Sequence, residues 1–323
     1  MTAGDDIRIR STRARRTAAT STSPGLDRIA RALRAFGSVP LLVAGLSLSA
    51  DAAADAQAAV SALYARLERL HDELPRRDTI DVDDRTLVRG VYRLQERSTG
   101  QLIAMFTESG DILGDSQGWK WIEAGGTRPL SPGEADELKA EMMRGIQWER
   151  LLKVAYGGGG ARHVLLISAV NCPVCARMED ILARRAASLD TTFYVLPISL
   201  TPSIETPDGK ATWRRAAELS CAADGALAWR RFWAQRETPQ PSRCAPDEGA
   251  AFATARNFST VLASIGVRVR GTPTMVREDG ETISFPPDPD DAFFDDVLGP
   301  KGLSGFASPL GATMPPRWLG AHR

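Results

Sequence analysis

The stretch that decides the fold is 165-LLISAVNCPVCARMEDIL-182. An apolar run ends in Cys172-Pro173-Val174-Cys175, and a helix-like pattern follows at once. Two thiols at this spacing can form a metal clip, a structural bridge or a redox pair. A zinc knuckle needs a second ligand pair at short spacing. The other cysteines, Cys221 and Cys244, lie far apart, and His71, His163 and His322 are scattered, so no metal site is expected. A Cys172–Cys175 bridge would restrain almost none of the unfolded chain. The redox reading is the strongest. At a helix N-terminus the unpaired amides and the macrodipole favour a thiolate. Free cysteine has a pKa of about 8.5, and Cys-X-X-Cys sites span roughly 3.5 to 7. Cys172 stands at the helix mouth as the attacking thiol; Cys175, one turn in, is the resolving thiol. The pair needs no other cofactor.

Working outward, residues 161–169 (ARHVLLISA) read as a strand buried on both faces. Pro173 suits a first helical turn, and Met178, Ile181, Leu182, Ala186 and Leu189 fall on one helix face. A second strand follows in TTFYVLPISL (191–200), then a helical stretch over 209–265 broken at TPQPSRCAPDEG (238–249). TPTMVRED (272–279) and ETISF (281–285) are strands, and a short helix lies near DPDDAFFDDVL (288–298). A parallel pair joined by a helix, with a terminal hairpin, is the thioredoxin arrangement. Cys221 and Cys244 bracket the loosely determined part of the insert. A disulfide there should stabilise by roughly 3 kcal/mol, the alternative being two free buried cysteines. Pro273 is allowed at a strand's first residue. A cis Thr272–Pro273 bond would set the Thr272 backbone against the Cys pair, where an extended substrate could pair with it; a trans turn proline is the other reading.

The N-terminal half is organised differently. Residues 1–54 carry eight arginines against four acids, which leaves the rest of the chain 32 basic against 36 acidic residues. That body, at a net charge of about −4, has no electrostatic footprint for nucleic acid. The basic lead, the apolar run Val39–Leu48 and the small steps from Ala50 to Ala54 have the order of a secretory signal, cleaved or kept as an anchor; a basic tail with a buried helix is the alternative. Export would place the protein in the periplasm, where disulfides form. Residues 55–130 combine an amphipathic helix (Val60, Leu63, Leu67, Leu70) with short alternating strands, turning at Ser98-Thr99-Gly100 and Glu108-Ser109-Gly110. In residues 131–160, Ser131, Pro132 and Glu134 mark a capped helix start. Leu138, Met142, Ile146, Leu151, Leu152 and Val154 extend that pattern as a linking helix, which ends in a flexible joint at Gly157–Gly160. Residues 161–298 form the second domain, and 299–323 a poorly ordered tail.

The chain resembles the bacterial periplasmic disulfide isomerases of the DsbC/DsbG type, within the thioredoxin-fold superfamily. NCPVCARMEDIL carries the resemblance, together with the stretch from LSCAADGALAWRRFW through SRCAPDEG to GVRVRGTPTMV. The resemblance implies an α/β fold, with a thioredoxin-like catalytic domain bearing a helical insert. A small α+β, cystatin-like dimerisation domain and a linking helix would precede it. It implies Cys172 as nucleophile, Cys175 as its partner, Thr272 and Pro273 as the cis-proline loop, and Cys221–Cys244 as the structural disulfide. It also implies a homodimer that takes misfolded or oxidised exported proteins and is kept reduced by a membrane thiol reductase. Val174 offers the thiolate no donor or charge, unlike the Tyr or His usual within the family's motif. The alternative function is a non-catalytic chaperone or assembly component of a secretion or conjugation apparatus.

Overall fold

A computed structural model describes residues 8–9, 48–68, 76–115, 117–158, 162–237, 239–240, 243–277, 280–286, 289 and 292–298. The expected signal segment therefore lies outside the described residues except at its start and end, and the tail 299–323 lies outside them entirely. The strand β1 (Arg8–Ile9) runs parallel to β2 (Ile80–Asp83). The helix α1 (Leu48–Leu67) begins inside the expected signal and carries Val60, Leu63 and Leu67 of the expected amphipathic face, while Leu70 lies outside the described residues. Among the described residues, no helix is long and apolar enough to cross a membrane.

After β2 come β3 (Val91–Glu96), β4 (Leu102–Thr107), β5 (Ile112–Asp115), β6 (Gly118–Glu123) and β7 (Gly126–Pro129), an antiparallel meander in sequence order. Period-two alternation gives this sheet two apolar faces. Tyr92, Leu94, Phe106 and Ile122 pack beneath Val60, Leu63 and Leu67 of α1. Val91, Met105, Ile112 and Trp119 point the other way. Gly110 turns the chain at φ +67°, where a Cβ would sit 2.6 Å from the Leu63 amide nitrogen, so no other residue fits.

The helix α2 (Pro132–Arg144) starts as expected. Ser131 Oγ accepts from the Glu134 amide at 3.3 Å, and Glu134 Oε2 accepts from the Ser131 amide at 2.7 Å. It stops ten residues before Val154, which corrects the expected linking helix. Past Gly145 a bridge pairs Ile146 with Val88, a 3₁₀ turn covers Trp148–Arg150, and the chain enters β8 (Leu152–Tyr156). There Leu152, Val154 and Tyr156 are buried while Lys153 is exposed: the alternation of a strand. The Gly-rich joint also differs from expectation. Gly157 lies at φ +66°, with Asp190 N 2.9 Å from the position of its absent Cβ, so it is a packed turn. Gly159 and Gly160 are outside the described residues.

The remaining elements are β9 (Arg162–Ala169), α3 (Pro173–Arg184), α4 (Ala186–Leu189), β10 (Thr191–Ile198), α5 (Pro207–Ser220), α6 (Gly225–Gln235), α7 (Glu248–Ser264), β11 (Thr274–Val276), β12 (Thr282–Ser284) and α8 (Phe293–Leu298). Their sheet runs β12-β11-β9-β10-β8, with β9 and β10 parallel and every other pair antiparallel. One face, with Val164, Leu166, Phe193 and Val195, packs under α3, α5 and α6. The opposite face, with Leu165, Ile167, Tyr194 and Leu196, meets Phe258, Val261 and Leu262 of α7. Leu138 and Met142 of α2 and Val91, Met105 and Trp119 of the N-terminal sheet join the same cluster. The two halves therefore share a core. Trp119 Nε1 donates to Ser264 Oγ at 3.1 Å across this contact, and the buried Arg93 donates to Asn257 Oδ1.

Candidate active site

The apolar strand β9 ends at Ala169, directly beneath the thiols. The Val170 amide donates to Ile198 O at 2.9 Å and the Cys172 amide to Ala169 O at 3.1 Å, which fixes the turn into α3. Asn171 ties this turn to the loop after β10, accepting from the Leu200 amide at 2.9 Å and donating to Thr201 Oγ1 at 3.3 Å. Cys172 is the N-cap of α3, its Sγ accepting from the Cys175 amide at 3.2 Å, and Pro173 occupies the first turn, where a missing N–H costs nothing. The Thr272–Pro273 peptide bond is cis. It brings Thr272 O to 3.4 Å from Cys172 Sγ, across a hundred residues of chain. Both thiols are free, and Cys175 is fully buried while Cys172 keeps 5 % exposure.

The two sulfurs are made unequal by their surroundings. Burial alone would raise the Cys172 pKa. Stabilisation from the Cys175 thiol, from Thr272 and from the amides of Cys175 and Val174 outweighs it and holds Cys172 below an ordinary cysteine. Burial, reinforced by the Cys172 sulfur, pushes Cys175 up to about 12. A more easily ionised thiol at the helix mouth with a protonated thiol behind it is the inequality that attack and resolution require.

Several polar groups around the pair were not singled out from sequence. Ser168, the single hydroxyl in the apolar run of β9, is fully buried, and its Oγ finds no nitrogen or oxygen partner among the described residues, only the Cys175 thiol. The Thr272 hydroxyl is likewise buried and unpartnered. Both lower the Cys175 pKa against the larger effect of burial. Glu179 lies one helical turn beyond Cys175 and is buried, accepting from Tyr156 OH at 3.0 Å. Burial raises its carboxyl to about 7, against the opposing pull of the Trp229 indole, Tyr156 and the Arg230 charge. Leu200, half exposed, stands beside Asn171 as an apolar shoulder.

The other sequence-derived residues fall elsewhere. Cys221, at the end of α5, and Cys244 are joined by a disulfide with a Cα–Cα distance of 5.0 Å, which holds the insert closed. His163 lies on β9 with its ring edge-on to Tyr194, while His71 and His322 are outside the described residues. Among the described residues no group of three or more His, Cys, Asp or Glu side chains could hold a metal.

One family model agrees on the fold of the second domain. Residues 151–287 match the family model of a thioredoxin-like domain, so the domain that carries the thiols is thioredoxin-like. That match begins at Leu151, one residue before β8 and seven after α2 ends. Among solved structures, a disulfide interchange protein from Neisseria gonorrhoeae is 24 % identical, covering 42 % of this chain and 86 % of its own, with a TM-score of 0.33. The catalytic domain of Proteus mirabilis ScsC is 15 % identical, covering 46 % and 88 %, with a TM-score of 0.33. Pseudomonas aeruginosa DsbA2 is also 15 % identical, covering 44 % and 88 %, with a TM-score of 0.28. No curated protein matches the chain in sequence.

Proposed function

We propose that this protein is a thiol–disulfide oxidoreductase, working on exported proteins in the periplasm as a disulfide isomerase or reductase of the DsbC/DsbG kind. One observation carries the reading: two free, unequal thiols at a helix N-terminus, with the attacking sulfur 3.4 Å from the carbonyl of a cis-proline loop. The Cys172 thiolate attacks one sulfur of a substrate disulfide, forming a mixed disulfide and releasing the other sulfur as a thiolate that takes up a proton. In isomerisation a second substrate thiolate attacks the mixed disulfide and frees Cys172. In reduction Cys175 gives up its proton and attacks Cys172 Sγ, and the substrate leaves as a second thiol with two electrons gained. The resulting Cys172–Cys175 disulfide then needs two electrons from a dithiol donor, and a membrane thiol reductase is the donor this reading calls for. A homodimer would enlarge the binding surface around the pair.

The test is turnover of a fluorogenic disulfide peptide with glutathione as reductant. Cys172→Ser should abolish it, and Cys175→Ser should leave the first attack while blocking intramolecular release. Full activity in Cys172→Ser would end this assignment.

A further inference from the structure

The thioredoxin-like domain reaches its cis-proline loop through 266-GVRVRGTP-273. Burial alternates along it: Val267 is fully buried, Val269 is partly buried against the shared core, and Arg268 and Arg270 are exposed. The two hydrophobic residues anchor the loop while both guanidinium groups project from the opposite side. Neither arginine has an ion pair or a hydrogen bond among the described residues, unlike Arg85 with Asp83 or Arg214 with Glu248. The backbone amides from Arg268 to Thr272 likewise make no hydrogen bond among the described residues, so this segment can accept an added strand. It ends at Thr272 O, against Cys172 Sγ.

We infer that Arg268 and Arg270 form a docking strip that selects acidic, extended polypeptide segments and delivers their disulfides to Cys172. This rests on the oxidoreductase reading above and names the substrate class. The chain bends at Gly271–Pro273, so Arg270 and Arg268, two and four residues before Thr272, lie at most about 7 Å and about 14 Å from it. Residues directly opposite in a paired strand share a face. A substrate strand paired along Arg268–Arg270 therefore meets the two arginines with two residues of one face, two positions apart. Carboxylates there find two cations with no competing partner, and Leu200 supplies an apolar contact across the thiol.

The experiment uses the full chain and three disulfide peptides of equal length, with Glu, Gln or Lys at those two positions. The Glu peptide should be reduced about tenfold faster than the Lys peptide at low salt, with the gap closing near 0.5 M salt, where the Debye length falls to roughly 4 Å. Arg268→Glu/Arg270→Glu should reverse the order while leaving reduction of the small neutral hydroxyethyl disulfide unchanged. Equal rates for the three peptides, or an order that survives the charge reversal, would overturn the strip. Binding of a cysteine-free Glu peptide to Cys172→Ser, read by fluorescence anisotropy, separates the two readings. If the wild type reduces no disulfide but this binding depends on the arginines, the strip stands and the redox function fails. Absence of that binding overturns the strip even if turnover is intact.

Discussion

Replacing Glu179 with Gln should stabilise the protein, and by an amount that depends on pH. The carboxyl is raised from 4.5 to about 7 by burial, so the folded state holds its proton more tightly than the unfolded state does. Between those two values the folded protein binds more protons, and stability falls as pH rises through that window. Each pKa unit is worth 1.36 kcal/mol, so the ionised side chain costs about 1 kcal/mol at pH 5 and about 3 kcal/mol at pH 8. A glutamine keeps an oxygen to accept from Tyr156 OH and carries no charge to desolvate. Urea unfolding of the two proteins at pH 5 and pH 8 isolates this group, since every other titration cancels in the difference. The variant should gain about 1 kcal/mol at pH 5 and about 3 kcal/mol at pH 8. An equal loss of stability at both pH values would refute the reasoning, because it would mean that the Trp229, Tyr156 and Arg230 contacts outweigh the desolvation of the charge.

Three further outcomes follow from the packing of the thiol site, the insert and the shared core. Ser168→Ala should leave the first attack by Cys172 unchanged but slow release of the mixed disulfide by about tenfold, since a hydrogen bond to a forming thiolate is worth roughly 1.5 kcal/mol or more; stopped-flow kinetics separates the two phases. Opening Cys221–Cys244 with a double serine variant should cost about 3 kcal/mol and lower Tm by roughly 10 °C in a calorimetric scan, with the catalytic thiols still present. Met142→Ala, at the contact between the two halves, should cost about 2–5 kcal/mol and still give one cooperative unfolding transition, whereas two separated transitions would deny the shared core.

The strand-helix-strand order around the thiols was legible in the sequence because its signals are local: a continuous apolar run, a proline in the first helical turn and a three- and four-residue apolar spacing. The stop of α2 was harder. Leu151, Leu152 and Val154 extend a helical stripe as well as they alternate in a strand, and the choice falls to pairing with β10, whose residues lie some forty positions further on. The shared core is likewise non-local. Nothing near Trp119 in the chain announces that its indole will meet Ser264. At the site, the Cys pair was legible from motif chemistry and the Thr272–Pro273 loop from the family resemblance, while the residues alone admit both a cis and a trans bond there. Ser168 had a signal in being the one polar residue of its run, and Glu179 had one in standing a helical turn from Cys175. What no local pattern carries is their burial, which decides the chemistry of both.

The central claim is that Cys172 is the attacking sulfur, and trapping tests it most directly. The Cys175→Ser variant, reduced and mixed with a protein that contains disulfides, should accumulate a covalent adduct that reducing agent releases. Peptide mapping should place the linkage at Cys172. No adduct, or one that persists when Cys172 is also replaced by serine, would contradict the account.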